Sequence, residues 1–124
     1  MKILNFFFKK DPIISFENNE TEIVNLLDNL IELLLQNNSL SQVEFLKSFK
    51  TNIIDKNLTE INQKYNSTEF WGGSGALWEV GFESEKTQVV FNKYLYKLIC
   101  ILENCNLRSK GSKSVKRILK NWNT

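Results

Sequence analysis

The sequence contains no histidine, and that single absence removes the usual general base, the commonest transition-metal ligand and the side chain that titrates near neutrality. Hydrolytic and metal-dependent chemistry lose their customary residues, so we expect no enzyme, no metal and no small-molecule cofactor. Cysteine is scarce: Cys100 and Cys105 lie five positions apart in an apolar helical pattern. Such a pair does not share a helical face as an i, i+4 pair does, and a bridge between them would strain the helix. Two reduced, buried thiols are expected instead, in keeping with a reducing compartment. Long hydrophobic runs are missing too, because the longest is broken by Asp28, Asn29 and Glu32, and none can span a bilayer. The opening MKILNFFFKKDP turns polar at Lys9 and Lys10 and offers no small-residue cleavage site, so it does not read as a secretory leader. Together these absences predict a cytoplasmic chain with no membrane partner. There is no internal repeat and no low-complexity linker.

What is present is helical periodicity. With 124 residues, 42% of them hydrophobic, the chain can bury one core without disulfides or metals. The capping pairs Asn19 with Glu22, Ser41 with Glu44, and Asn57 with Glu60 mark three helix starts, each placing a capping side chain ahead of a carboxylate that reaches back to the open N–H groups. The spacing predicts a broad-faced, central helix near 20–37, a second near 41–54, a short third near 58–65 and a long one near 85–104. Ser114 reads as the N-cap of a last, cationic helix with Val115, Ile118, Leu119 and Trp122 as its apolar stripe. Trp78, Val80 and Phe82 alternate with polar neighbours, which suits a brief strand or extended segment. The expected fold class is therefore mainly α: an antiparallel bundle of about five helices with a glycine-rich loop and at most a short strand pair. It is a single domain over 1–124, with an N-terminal arm at 1–19 and a basic C-terminal helix at 106–124 packing on the body. Ile3, Leu4, Phe7 and Phe8 also fit helical spacing and read as core or interface material.

Charge is unevenly spread. Residues 17–85 carry twelve acids against four lysines, a net of −8, whereas residues 106–124 carry six cations and no acid. Such asymmetry bears on partner attraction more than on fold.

The stretch WGGSGALWE at 71–79 concentrates three of the five glycines and two of the three tryptophans. It fails as a dinucleotide fingerprint, since Trp78 stands where the third glycine is needed, and as a P-loop, since the stretch contains no lysine followed by Ser or Thr. Ser74 has no base to activate it. The glycines instead permit a tight turn, and Trp71 and Trp78 supply large amphipathic surface as core plugs or interface anchors.

The order LDNLIELLLQNNSLSQVEFLKSF, a short helix ending in Tyr65, FWGGSGALWEV and a long helix resembles a group of small bacterial helical domains with a Gly-Gly-x-Gly-Ser-[Leu or Phe]-Asn-Asp loop between two helical pairs. The likeness covers roughly 23–105. Gly72, Gly73, Gly75 and Leu77 match, while Ala76, Trp78 and Glu79 replace the serine, asparagine and aspartate. Such proteins are often encoded beside polymorphic or contact-dependent growth inhibition toxins, which implies an immunity protein that binds and neutralises a cognate toxin domain, a nuclease being the expected kind. Acidic residues around aromatic anchors fit the basic cleft of such an enzyme. The expected partner-binding residues are Glu69, Trp71, Trp78, Glu79, Glu83 and Glu85. The alternative is a small nucleic-acid-binding or regulatory module that uses the basic stretch from Arg108 to Lys120, which the acidic body disfavours.

Overall fold

A computed structural model describes residues 12–72 and 75–122, with side chains for 13–72 and 75–121. The expectations for Ile3, Leu4, Phe7 and Phe8, for Gly73 and Ser74, and for the Trp122 side chain lie outside the described residues. The chain forms α1 (Pro12–Gln36), α2 (Leu40–Asp55), α3 (Leu58–Tyr65), α4 (Thr68–Trp71), a 3-10 turn (Leu77–Glu79), α5 (Glu85–Asn104) and α6 (Lys110–Trp122). The fold is a helical bundle, and the described residues contain no strand. The central element is α1, with α2 on one side and α5 on the other; α3 extends from α2, and α6 covers α5 and α4. Phe16, Ile23, Leu27, Leu30 and Leu34 of α1 are all buried, which is the broad apolar face that its spacing requires.

Helix α1 begins at Pro12 and not near residue 20, so 12–19 form two helical turns where an arm was expected. Proline is preorganised for the first turn, where its missing N–H costs nothing, and Ser15 and Phe16 are buried at 3% and 1% exposure. Asn19 consequently sits inside the helix. Its side-chain N–H donates to the Ser15 carbonyl at 2.8 Å and lies 3.8 Å from the Cys105 sulfur. Of the three expected capping residues only Asn57 caps as read, accepting from Glu60 N–H at 3.2 Å; α2 starts one residue before Ser41.

Three helices end in one motif. Asn38, Lys56 and Asn106 have φ of 58°, 57° and 64°. The following amides, Ser39, Asn57 and Leu107, donate back to the carbonyls of Leu34, Asn52 and Leu102 at 2.9–3.0 Å. This is the six-to-one bond of a Schellman ending, built here without glycine at the left-handed position. The only positive-φ glycine among the described residues is Gly75, at 88°.

The start of α6 also differs from expectation. Ser109 and Ser112, and not Ser114, make the cap: Ser109 Oγ accepts from Ser112 N–H at 2.9 Å while Ser112 Oγ accepts from Ser109 N–H at 3.2 Å. This is a reciprocal capping box with serine in the place of the usual glutamate. Gly111 follows from packing, because a Cβ there would lie 2.5 Å from Trp71 Cβ.

Both cysteines are free, Cys105 buried and Cys100 partly exposed. No helix among the described residues is long and apolar enough to cross a membrane.

Candidate binding groove

The loop that the sequence singles out sends its two indoles in different directions. Trp71 stacks on Phe70 with ring centroids 4.7 Å apart, meets Tyr65 edge-on at 5.4 Å, and donates its indole N–H to the Tyr65 carbonyl at 2.6 Å. It is 8% exposed. With Gly111 against its Cβ, Trp71 belongs to an aromatic knot that also holds Phe45 and Phe49, so the expectation of Trp71 as a partner-binding anchor is corrected by its burial.

Trp78 is different. It is partly buried against the core, on the 3-10 turn, and lines an open groove of about 510 Å³. The groove's apolar wall is Trp78, Val80, Ile118 and Leu119, its polar floor is Gln88 and Asn92, and Glu79 stands at its edge. Ile118 is 44% exposed.

The groove owes its shape to the extended segment 80–82. Trp78, Val80 and Phe82 are half-buried while Glu79, Gly81 and Glu83 are exposed, so the alternation seen in the sequence is obeyed. No strand pairs with it among the described residues. The Gln88 side chain takes a neighbouring strand's place on one edge, accepting from Phe82 N–H at 3.0 Å and donating to the Val80 carbonyl at 3.4 Å. On the other edge Asn37 donates to the Gly81 carbonyl at 3.1 Å. Gln88 also donates to Asn92 Oδ1 at 3.3 Å, which satisfies an amide that is 6% exposed. Gln42 reaches from α2 to the Gly75 carbonyl at 2.7 Å and ties the glycine turn to the bundle.

Of the expected site residues, Trp78 and Glu79 share this groove. Glu83 lines a second one, about 420 Å³, with Leu33, Phe82 and Thr87. Glu85 is in the first turn of α5. Glu69, on α4, lines neither groove. All four carboxylates are exposed, and among the described residues none is ion-paired. Gln88, Asn92 and Ile118 were not singled out from the sequence. Ile118 carried a signal as part of the α6 stripe, whereas the two amides inside a long helix carried none.

In the aromatic knot, Tyr65 is fully buried and its hydroxyl has no hydrogen-bond partner among the described residues. Burial pushes this phenol well above its ordinary value; the nearby Ser112 hydroxyl, which opposes that rise, donates its own hydrogen to the Ser109 carbonyl. No group of three or more His, Cys, Asp or Glu side chains able to hold a metal occurs among the described residues. A scan against protein-family models and searches of curated proteins and of solved structures find no match to this chain.

Proposed function

We propose that the chain is a non-enzymatic, cytoplasmic immunity protein, which binds a cognate bacterial toxin domain at the Trp78 groove and occludes its active or substrate-binding surface. The observation that carries the reading is the pairing of half-exposed Trp78 and exposed Ile118 with the unpaired Glu79 at the groove's edge. A rigid aromatic beside unneutralised carboxylates is the composition of an interface anchor for a basic protein surface. Glu83 and Glu85 continue the negative charge along the chain. Support for a toxin, and a nuclease in particular, comes from the resemblance of FWGGSGALWEV to immunity domains and from the cationic clefts that nucleases need for phosphate backbones.

The test is to purify the chain with the toxin domain encoded beside its gene and measure binding at low and physiological salt. Co-elution is expected, with toxin activity suppressed in proportion to occupancy. Trp78→Ala should weaken binding by roughly 30-fold or more, as expected when a central aromatic anchor is removed. A Glu79→Lys/Glu83→Lys double variant should slow association and flatten its salt dependence. Absence of a complex, or a Kd unchanged by Trp78→Ala, would overturn the reading.

A further inference from the structure

Cations are treated differently in the two halves of the molecule. All four lysines between 17 and 85 are ion-paired: Lys47 with Glu44, Lys50 with Asp28, Lys56 with Glu20 and Lys64 with Glu60. From residue 86 onward nine cations face a single acid, Glu103. Glu103 engages Lys116 at 2.5 Å and Arg108 at 4.0 Å. Among the described residues the other seven cations have no carboxylate partner, and all seven are exposed.

The helices gather these charges on one side. At about 100° per residue, Lys110, Lys113, Lys116, Arg117 and Lys120 fall within an arc of about 120° on α6. The Lys116–Glu103 bridge turns that arc toward the outer face of α5, and the short link at 105–109 makes the two helices antiparallel neighbours. Lys120 therefore runs back along α5 toward partly exposed Tyr96 and Lys93, with Lys97 one turn nearer the C-terminal end of α5, where it and Tyr96 share an open groove with Glu22 and Asn25 of α1. Ile118, the only exposed large apolar residue among the described side chains of α6, points at least about 80° away, into the Trp78 groove.

We infer that the outer face of α5 and α6, built from Lys93, Lys97, Lys113, Arg117 and Lys120 around Tyr96, binds the phosphate backbone of nucleic acid without reading its sequence. A row of exposed cations without ion-pair partners, outnumbering Glu22 beside Lys97, is what counterion-driven binding requires. Tyr96 among them is partly buried against the core and leaves the cations as the ligand-facing groups. An anionic bilayer fits less well, because interfacial helices need an apolar face beside their cations, and here the apolar side of α6 is turned into the protein. The face is distinct from the Trp78 groove, so this inference stands or falls separately from the immunity reading.

The experiment titrates the full chain into labelled 20-base-pair DNA and RNA duplexes of one sequence and into an unrelated duplex, between 25 and 200 mM salt. Binding should be sequence-indifferent and weaken about 150-fold between 50 and 200 mM, a log–log slope near −3.6. Neutralising Lys93, Lys97, Arg117 and Lys120 to Gln should abolish that dependence, each single change reducing the slope by about 0.9. Circular dichroism will verify that these exposed substitutions leave the fold intact. Glu79→Gln/Glu83→Gln should leave the slope unchanged. No binding at 25 mM salt, binding retained by the fourfold variant, or capture by phosphatidylserine vesicles without duplex binding would each overturn the inference. So would low-salt self-association that the fourfold variant abolishes, since the cations would then be meeting the acidic half of a second copy.

Discussion

At the scale of single residues, the two positions most exposed to disturbance are Tyr65 and Gly111. The Tyr65 hydroxyl is buried without a partner among the described residues, and an unsatisfied buried polar group costs about 1–3 kcal/mol. Tyr65→Phe should therefore be neutral or stabilising by about 1 kcal/mol in urea denaturation, opposite in sign to most changes at a fully buried aromatic. The same variant reports on pH. Because burial raises the phenol's pKa, the folded state holds its proton more tightly than the unfolded state. Its contribution is complete below the unfolded value near 10 and is lost as pH rises beyond it, at up to about 1.4 kcal/mol per pH unit. Tyr65→Phe should flatten the decline of stability above pH 10, as measured by denaturation at pH 8 and 11. At Gly111, a methyl group would meet Trp71 at 2.5 Å. Gly111→Ala should cost about 1–3 kcal/mol despite alanine's higher helix propensity, because overpacking outweighs propensity here.

At the scale of elements, the helix ends carry more information than the helix interiors. Each Schellman ending needs a left-handed residue, and α1 places Asn38 there. Asn38→Gly should raise the denaturation midpoint, by up to about 1 kcal/mol, since glycine takes this conformation without steric cost. Asn38→Val should lower it. The 80–82 segment shows a second device, a strand edge satisfied by side-chain amides. Gln88→Ala removes the partner of both Phe82 N–H and Val80 C=O. Faster hydrogen exchange at Phe82 and a loss of about 1–3 kcal/mol are expected, together with weaker partner binding if the groove depends on that segment's position.

At the scale of the whole molecule, α6 completes the core. Val115 and Leu119 are buried at 3% and 1% exposure, and Gly111 and Ser112 close over Trp71 and Tyr65. Burying side chains of this size contributes about 1.5–3 kcal/mol each, against a net stability of about 5–15 kcal/mol for a domain. Truncation after Arg108 should therefore abolish cooperative thermal unfolding and near-ultraviolet dichroism while leaving helical content. The bundle also separates charge: residues 17–85 hold the unpaired acids, and α5 from Lys86 onward with α6 the unpaired cations. A molecule so divided presents two electrostatic faces to two kinds of partner.

The helical class, the central place of α1, the antiparallel order and the burial alternation of 78–82 were legible in the sequence, because apolar periodicity of 3.6 or 2 records which side of each element avoids water. Capping was read less well. Asn19 and Ser114 have capping chemistry but lie within helices, since burying Ser15, Phe16 and Ser112 moves each helix start outward. The fate of the two indoles was settled only by tertiary structure. Trp71 and Trp78 sit in similar local sequence, but Trp71 packs into the aromatic knot against Gly111, forty residues later, while Trp78 lines an open groove. Likewise, Gln88, Asn92 and Ile118 become a groove only when α5, α6 and the extended segment converge, because contacts between distant positions leave no periodic trace along the chain.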